Sequence, residues 1–135
     1  MQRMIEVEEG RSFNFRASAF TPIQYNTLFP GSDFWKDLTA LQEAMTGGLE
    51  GFSTDDYMLL MRISYTMIYQ GLAPSPKQTE EQKAFLEEYP NLDYFSDSFE
   101  MLSLLGCLDQ IMALWGLSSV SEADEKNPES PQPER

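Results

Sequence analysis

The sequence predicts a mainly α fold: a small bundle of about five helices, a short N-terminal β-hairpin and a disordered acidic C-terminal tail. Three observations predict it. Residues 53–71, STDDYMLLMRISYTMIYQG, make a helical pattern that is apolar on nearly every side. Apolar residues at helical spacing recur on both sides of that stretch, separated by proline and glycine. Residues 4–17 alternate instead with the period of a strand pair, and the chain after residue 117 turns polar. The expected organisation is one helical domain over 1–117, with the hairpin at 4–17, and a tail over 118–135.

In the hairpin, Ile5 and Val7 alternate on one arm and Phe13 and Phe15 on the other. A turn at Glu9-Gly10 would pair Val7 with Ser12 and Ile5 with Asn14, which puts the apolar sets on opposite faces. A longer loop, Glu8-Glu9-Gly10, pairs Val7 with Arg11 and Ile5 with Phe13. The apolar residues then share a face, and Gly10 takes the left-handed position of a bulge. The second register is the expected one. A lone hairpin is marginal, so this one is expected to lie on the helices.

Thr21-Pro22-Ile23-Gln24 reads as a helix start, with Thr21 as cap and Pro22 at the first position. Pro30-Gly31 stops that helix near Phe29. Ser32 is expected to cap the next, which runs to about Met45 with Phe34, Leu38, Leu41 and Met45 on one stripe, widened by Trp35. Gly47, Gly48 and Gly51 make a loose connector. Ser53 then caps the central helix, with Asp56 placed to complete a capping box and Asp55 and Asp56 favoured by the helix dipole. Asp55, Arg62, Thr66 and Gln70 form its narrow polar stripe. Gly71 ends it, and Pro74 and Pro76 prevent its resumption.

A second capping box, Thr79 to Gln82, opens a short helix carrying Phe85, Leu86 and Tyr89, ended by Pro90. Residues 91–95 read as a turn-rich link with two exposed aromatics, Tyr94 and Phe95. A long helix is expected over 96–116, as a second central helix with Phe99, Leu102, Leu105, Leu108, Met112 and Trp115 on its apolar face. The tail has three prolines, no aromatic and too little apolar surface to offset its ordering entropy.

The chain of 135 residues carries 22 acidic and 9 basic residues, a formal net charge of −13. That balance argues against binding nucleic acid or an anionic membrane, both of which need Lys and Arg. Residues 1–10 hold three glutamates where a signal peptide needs an apolar run, which points to the cytosol. There is no histidine and one cysteine. An intrachain disulfide is therefore excluded, and a His/Cys zinc site and the commonest general base are missing. Cys107, among leucines, reads as a small buried apolar residue. Gly47 to Gly51 lacks the spacing and the Lys-Ser/Thr of a phosphate loop. Asp93, Asp97 and Glu100 lack a calcium-loop pattern. No enzyme, metal or cofactor is expected. The many aromatics and methionines leave room for an apolar partner surface, and Tyr94 and Phe95 are its candidates.

Several segments together resemble one family. An acidic N-terminal hairpin, IEVEEGRSFNFRAS, precedes a helix. Tyr25 to Leu38, YNTLFPGSDFWKDL, is similar to the pattern Y-R-x-x-F-G-x-D-x-x-x-D-L, departing from it by the inserted Pro30 and by Asn26 in place of Arg. Leu60 to Met67 matches L-x-R-I-x-Y-x-M. A final helix and a polar tail complete the order. The chain resembles, over about its whole length, the tail assembly chaperones of long-tailed bacteriophages and prophages of Gram-positive bacteria. The resemblance implies a non-enzymatic factor in the host cytoplasm, absent from the finished virion. Its implied partners are the tape measure protein, which it keeps soluble, and the major tail protein, which it helps to recruit. The family also implies a longer form made by programmed ribosomal frameshifting. Glu125-Lys126-Asn127 is compatible with a slippery A AAA AAC site in the coding DNA.

Two other readings share the composition. An acidic DNA mimic would need carboxylates along one continuous face, whereas many here sit at helix starts or in the tail. A virion head-tail connector component would share the helical class. The hairpin edge also admits pairing with a second copy, as a homodimer.

Overall fold

The computed structural model describes residues 1–73 and 77–117. The expected disordered tail, 118–135, and Pro74 and Pro76 lie outside the described residues. Among the described residues the order is β1 (Gln2–Glu8), β2 (Arg11–Arg16), α1 (Thr21–Leu28), α2 (Phe34–Thr46), a 3-10 turn (Leu49–Gly51), α3 (Thr54–Gly71), α4 (Glu80–Glu88), α5 (Leu92–Asp97), a second 3-10 turn (Leu105–Cys107) and α6 (Leu108–Ala113). The fold is mainly α with a two-stranded antiparallel hairpin, as the periodicities require.

The hairpin combines both registers weighed for it. Ile5 pairs with Phe13, as expected, but Glu8 rather than Val7 stands opposite Arg11. The tight turn at Glu9-Gly10 therefore forms, with Gly10 at φ +77°, and the extra residue is taken up as a bulge between Glu6 and Glu8. The bulge restores a common apolar face: Ile5, Val7 and Phe15 are buried. That face lies on the helices. Asn14 Nδ2 donates to Gly71 O at 3.1 Å and Arg16 Nη1 to Ala73 O at 2.8 Å, so the hairpin satisfies carbonyls at the end of α3.

α3 is the centre of the molecule. Ser53 and Asp56 form the expected capping box, with Asp56 N to Ser53 Oγ at 3.1 Å and Ser53 N to Asp56 Oδ2 at 2.9 Å. From Ile63 to Gln70 every residue is buried. The C-terminal half of the polar stripe, Thr66 and Gln70, is buried with it, whereas Asp55 stays exposed and Arg62 half-buried. Thr66 Oγ1 donates to Arg62 O, and Gln70 Oε1 accepts from Thr21 Oγ1 in the core. Gly71 is the last residue of α3, as expected; it is itself helical, and Leu72 is the cap. A Cβ at Gly71 would stand 1.8 Å from Asn14 O, so the glycine admits the close approach of β2.

Three local expectations are corrected. Thr21 is the first residue of α1 and not its cap; its hydroxyl accepts from Ser18 N at 2.9 Å and faces Gln70. Asp33, not Ser32, caps α2, accepting from Trp35 N at 3.2 Å. Trp35 does not widen the buried stripe but lies exposed, edge-on to Phe34. The second capping box forms as expected, and buried Gln82 reaches on to Tyr69 O at 2.8 Å.

The largest correction concerns 96–116, which is not one helix. α5 ends at Asp97, residues 98–104 turn irregularly, and α6 begins only at Leu108. The apolar spacing is helical, but the backbone groups are claimed elsewhere. Arg11 Nη1 donates to Ser98 O at 2.7 Å. The Glu8 carboxylate accepts from Glu100 N at 2.5 Å and from Ser103 Oγ at 2.7 Å. In a continuous helix Ser98 O would accept from residue 102 and Glu100 N would donate to residue 96. The hairpin tip replaces that ladder with charge-assisted bonds. α6 ends at Ala113, short of the expected 116, and the turn after it closes at Gly116, whose φ of +76° lets Leu117 N reach back to Met112 O at 3.0 Å.

Candidate partner-binding surface

The two aromatics expected to face a partner fare differently. Asn91 caps α5 by accepting from Tyr94 N at 3.2 Å, which makes a helix of the expected link. One helical turn then sends its side chains to opposite sides. Tyr94 is 61% exposed and Phe95 is 0% exposed. The Phe95 ring lies 5.1 Å from that of Tyr65 and 4.9 Å from that of Phe99. Phe95 thus belongs to the aromatic core, and the expectation that it is exposed is corrected.

That core also fixes the tyrosines. Tyr65 donates to Tyr89 O at 2.5 Å, and burial, aided by Tyr69, pushes its pKa up to about 12. Tyr25 donates to Asp37 Oδ2 at 2.7 Å; burial first, then the Asp37 bond, holds its pKa above the ordinary range. Both hydroxyls are hydrogen-bond donors that stay protonated. Cys107 is buried, with its thiol 3.6 Å from Glu6 O, and burial raises its pKa. The small apolar role expected for it fits. Among the described residues no group of three Asp, Glu or Cys side chains is placed to hold a metal ion. No helix among them is long and apolar enough to cross a membrane.

The open surface lies elsewhere, where the irregular 98–107 stretch passes the start of α3. Met101 is 76% exposed and Leu102 56%. With Phe52, Tyr57 and Leu105 they line a groove of about 280 Å3. Phe52 and Leu105 also line a second groove of about 220 Å3, continued by Met45 and Leu108. The two meet along the Phe52–Leu105 edge. The geometry is fixed from both sides: Tyr57 Oη donates to Met101 O at 2.8 Å, and the Glu8–Arg11 clamp holds residues 98–103. Arg11 is itself stacked over Phe99, 4.2 Å from its centroid, and donates to Tyr89 Oη at 2.9 Å.

Sequence reasoning placed Leu102 on a buried helical stripe and passed over Met101. The available signal was local. In FEMLSLLG a single helix face cannot bury Phe99, Met101, Leu102, Leu104 and Leu105 together, so some of them must face outward.

A larger groove, about 460 Å3, opens on another side between Phe29, Met58, Leu86 and Leu92. Arg62 lies at its wall and acts electrostatically on Tyr25. No family model, curated protein or solved structure matches the chain.

Proposed function

We propose that this chain is a tail assembly chaperone of a long-tailed phage or prophage. In this reading it works in the host bacterial cytoplasm and is absent from the finished virion. It binds the tape measure protein, keeps it soluble, and helps the major tail protein assemble around it. It performs no catalysis. The order of segments that resembles the family supports the reading. The observation that carries it is the exposed Met101-Leu102 groove on a chain of net charge −13. A long apolar helical client needs apolar contact to be covered and surface charge to stay dispersed; this chain offers both.

The test is co-expression with the tape measure protein encoded by the same phage or prophage. The expected result is a tape measure protein that moves from the insoluble to the soluble fraction and co-elutes with this chain. A tape measure protein that stays insoluble, or a coding locus without tail genes, overturns the reading.

A further inference from the structure

We infer that the Phe52–Leu105 groove is a docking site for an amphipathic, basic helical segment of a partner protein. Three features of the groove specify that chemistry.

The first is its apolar lining, with Met101 and Leu102 left open to solvent. An occupant must therefore present apolar side chains along one face. The second is the state of the lining backbone. Met101 O is taken by Tyr57 Oη, Leu102 O by Gly106 N and Leu105 O by Leu108 N. On the facing side Ala44 O, Met45 O and Gly48 O accept from Gly47, Gly48 and Gly51. The walls offer no row of free carbonyls to an extended strand. A segment lying here must satisfy its own backbone, which a helix does.

The third is charge. The two lining stretches, 44–57 and 101–109, hold Glu50, Asp55, Asp56 and Asp109 and no lysine or arginine. Glu43 and Glu100 flank them with the same sign. The basic residues among the described ones, Arg3, Arg11, Arg16, Lys36, Arg62, Lys77 and Lys83, all fall outside both stretches. Of the acidic residues, Asp109 lines the groove itself and the others neighbour its lining residues in sequence. A helix flanked by Lys or Arg is complementary to stretches of that charge, whereas an acidic one is repelled. The same charge disfavours a second copy of this chain. The chain's own 118–135 stretch has, besides three helix-breaking prolines, Val120 as its sole apolar side chain larger than alanine, so it cannot fill the groove as an amphipathic helix. The inference stands on the groove and not on the tail-assembly reading.

The probe is a synthetic Leu/Lys peptide with leucines at helical spacing, about 18 residues long so that a helix can form. Its controls are the Leu/Glu peptide of the same pattern and a Leu/Lys peptide with the spacing scrambled. Binding to the full chain is read by calorimetry, and the site by amide shifts in NMR. The expected result is binding by the patterned Leu/Lys peptide alone, with shifts at Phe52 and residues 101–106. Met101→Ser with Leu102→Ser should weaken it by roughly tenfold or more, as central apolar anchors do. Glu50→Gln with Asp55→Asn should weaken it less and flatten its salt dependence. Both pairs sit at exposed positions, and circular dichroism checks that each variant is folded. Equal binding by the scrambled or Leu/Glu peptide, unchanged binding by the serine variant, or shifts centred elsewhere overturns the inference. So does a concentration-dependent dimer that protects these amides, which would give the groove to a second copy. Failure to solubilise the tape measure protein while the peptide binds would overturn the proposed function and leave the groove assignment standing.

Discussion

Ser64 faces the core of α3, and its hydroxyl has no hydrogen-bond partner among the described residues. Burying such a group costs about 1–3 kcal/mol of desolvation, so Ser64→Ala should leave stability unchanged or raise it by about 1 kcal/mol in urea unfolding. A marked loss would mean that the hydroxyl is satisfied. Neighbours in sequence separate just as sharply. Phe95→Ala removes a fully buried ring from contact with Tyr65, Phe85, Tyr89 and Phe99 and should cost about 3–5 kcal/mol. Tyr94→Ala, at an exposed ring, should stay within about 0.5 kcal/mol of the parent. The two melts distinguish the core aromatic from the surface one. An exposed link was a fair reading of Asn91-Leu92-Asp93, because nothing in those residues says which side of one helical turn meets Tyr65.

Elements meet here through a few directed contacts. Gly71 lets β2 lie on α3, and Gly71→Ala should cost about 3 kcal/mol or more, despite the better helix propensity of alanine, because Asn14 O stands 1.8 Å from the added carbon. Chemical unfolding reads the loss directly. The hairpin tip acts on the 98–103 stretch through Glu8, whose pKa is held below the ordinary carboxylate range first by the Glu100 amide, then by Ser103 and Arg11. A lowered folded-state pKa contributes stability that is present above the unfolded value and lost as pH falls through the folded one. The difference in stability between the parent and Glu8→Gln should therefore be largest above about pH 4.5 and vanish in more acid solution. A difference that is constant with pH would show that the carboxylate charge is not what holds residues 98–103. The long helix expected over 96–116 fails for the same reason. Its apolar spacing is helical, but carbonyl and amide groups are captured by a hairpin some 90 positions away in the chain, as the separations of 87 and 92 residues show.

At the scale of the whole molecule, one core runs from Ile5 in β1 through α3 to Leu114. The hairpin contributes Ile5, Val7 and Phe15 to it and bonds to carbonyls at the end of α3. A chain lacking residues 1–17 should consequently lose cooperative thermal unfolding and near-ultraviolet dichroism while keeping some far-ultraviolet helix signal. A truncated chain that melts as sharply as the parent would show the helices to be self-sufficient. The surface charge has the opposite role: it leaves the apolar groove as the place where a complementary, basic partner gains most from contact.

The existence of α1 to α4, the capping boxes at Ser53 and Thr79, the breaks at Pro30 and Pro90 and the shared apolar face of the hairpin were all written in local sequence. They rest on interactions within a few residues, namely caps, proline geometry and periodicity, and such interactions do not depend on the rest of the chain. What only the tertiary structure decided was where competing partners lie. Arg11 and Glu8 divert the backbone of residues 98–103. Gly71 answers to Asn14, Phe95 turns inward to Tyr65, and Met101 and Leu102 are left outside. Each of these outcomes joins residues far apart in sequence, and a local pattern carries no record of which distant group will claim an amide, a carbonyl or a ring face.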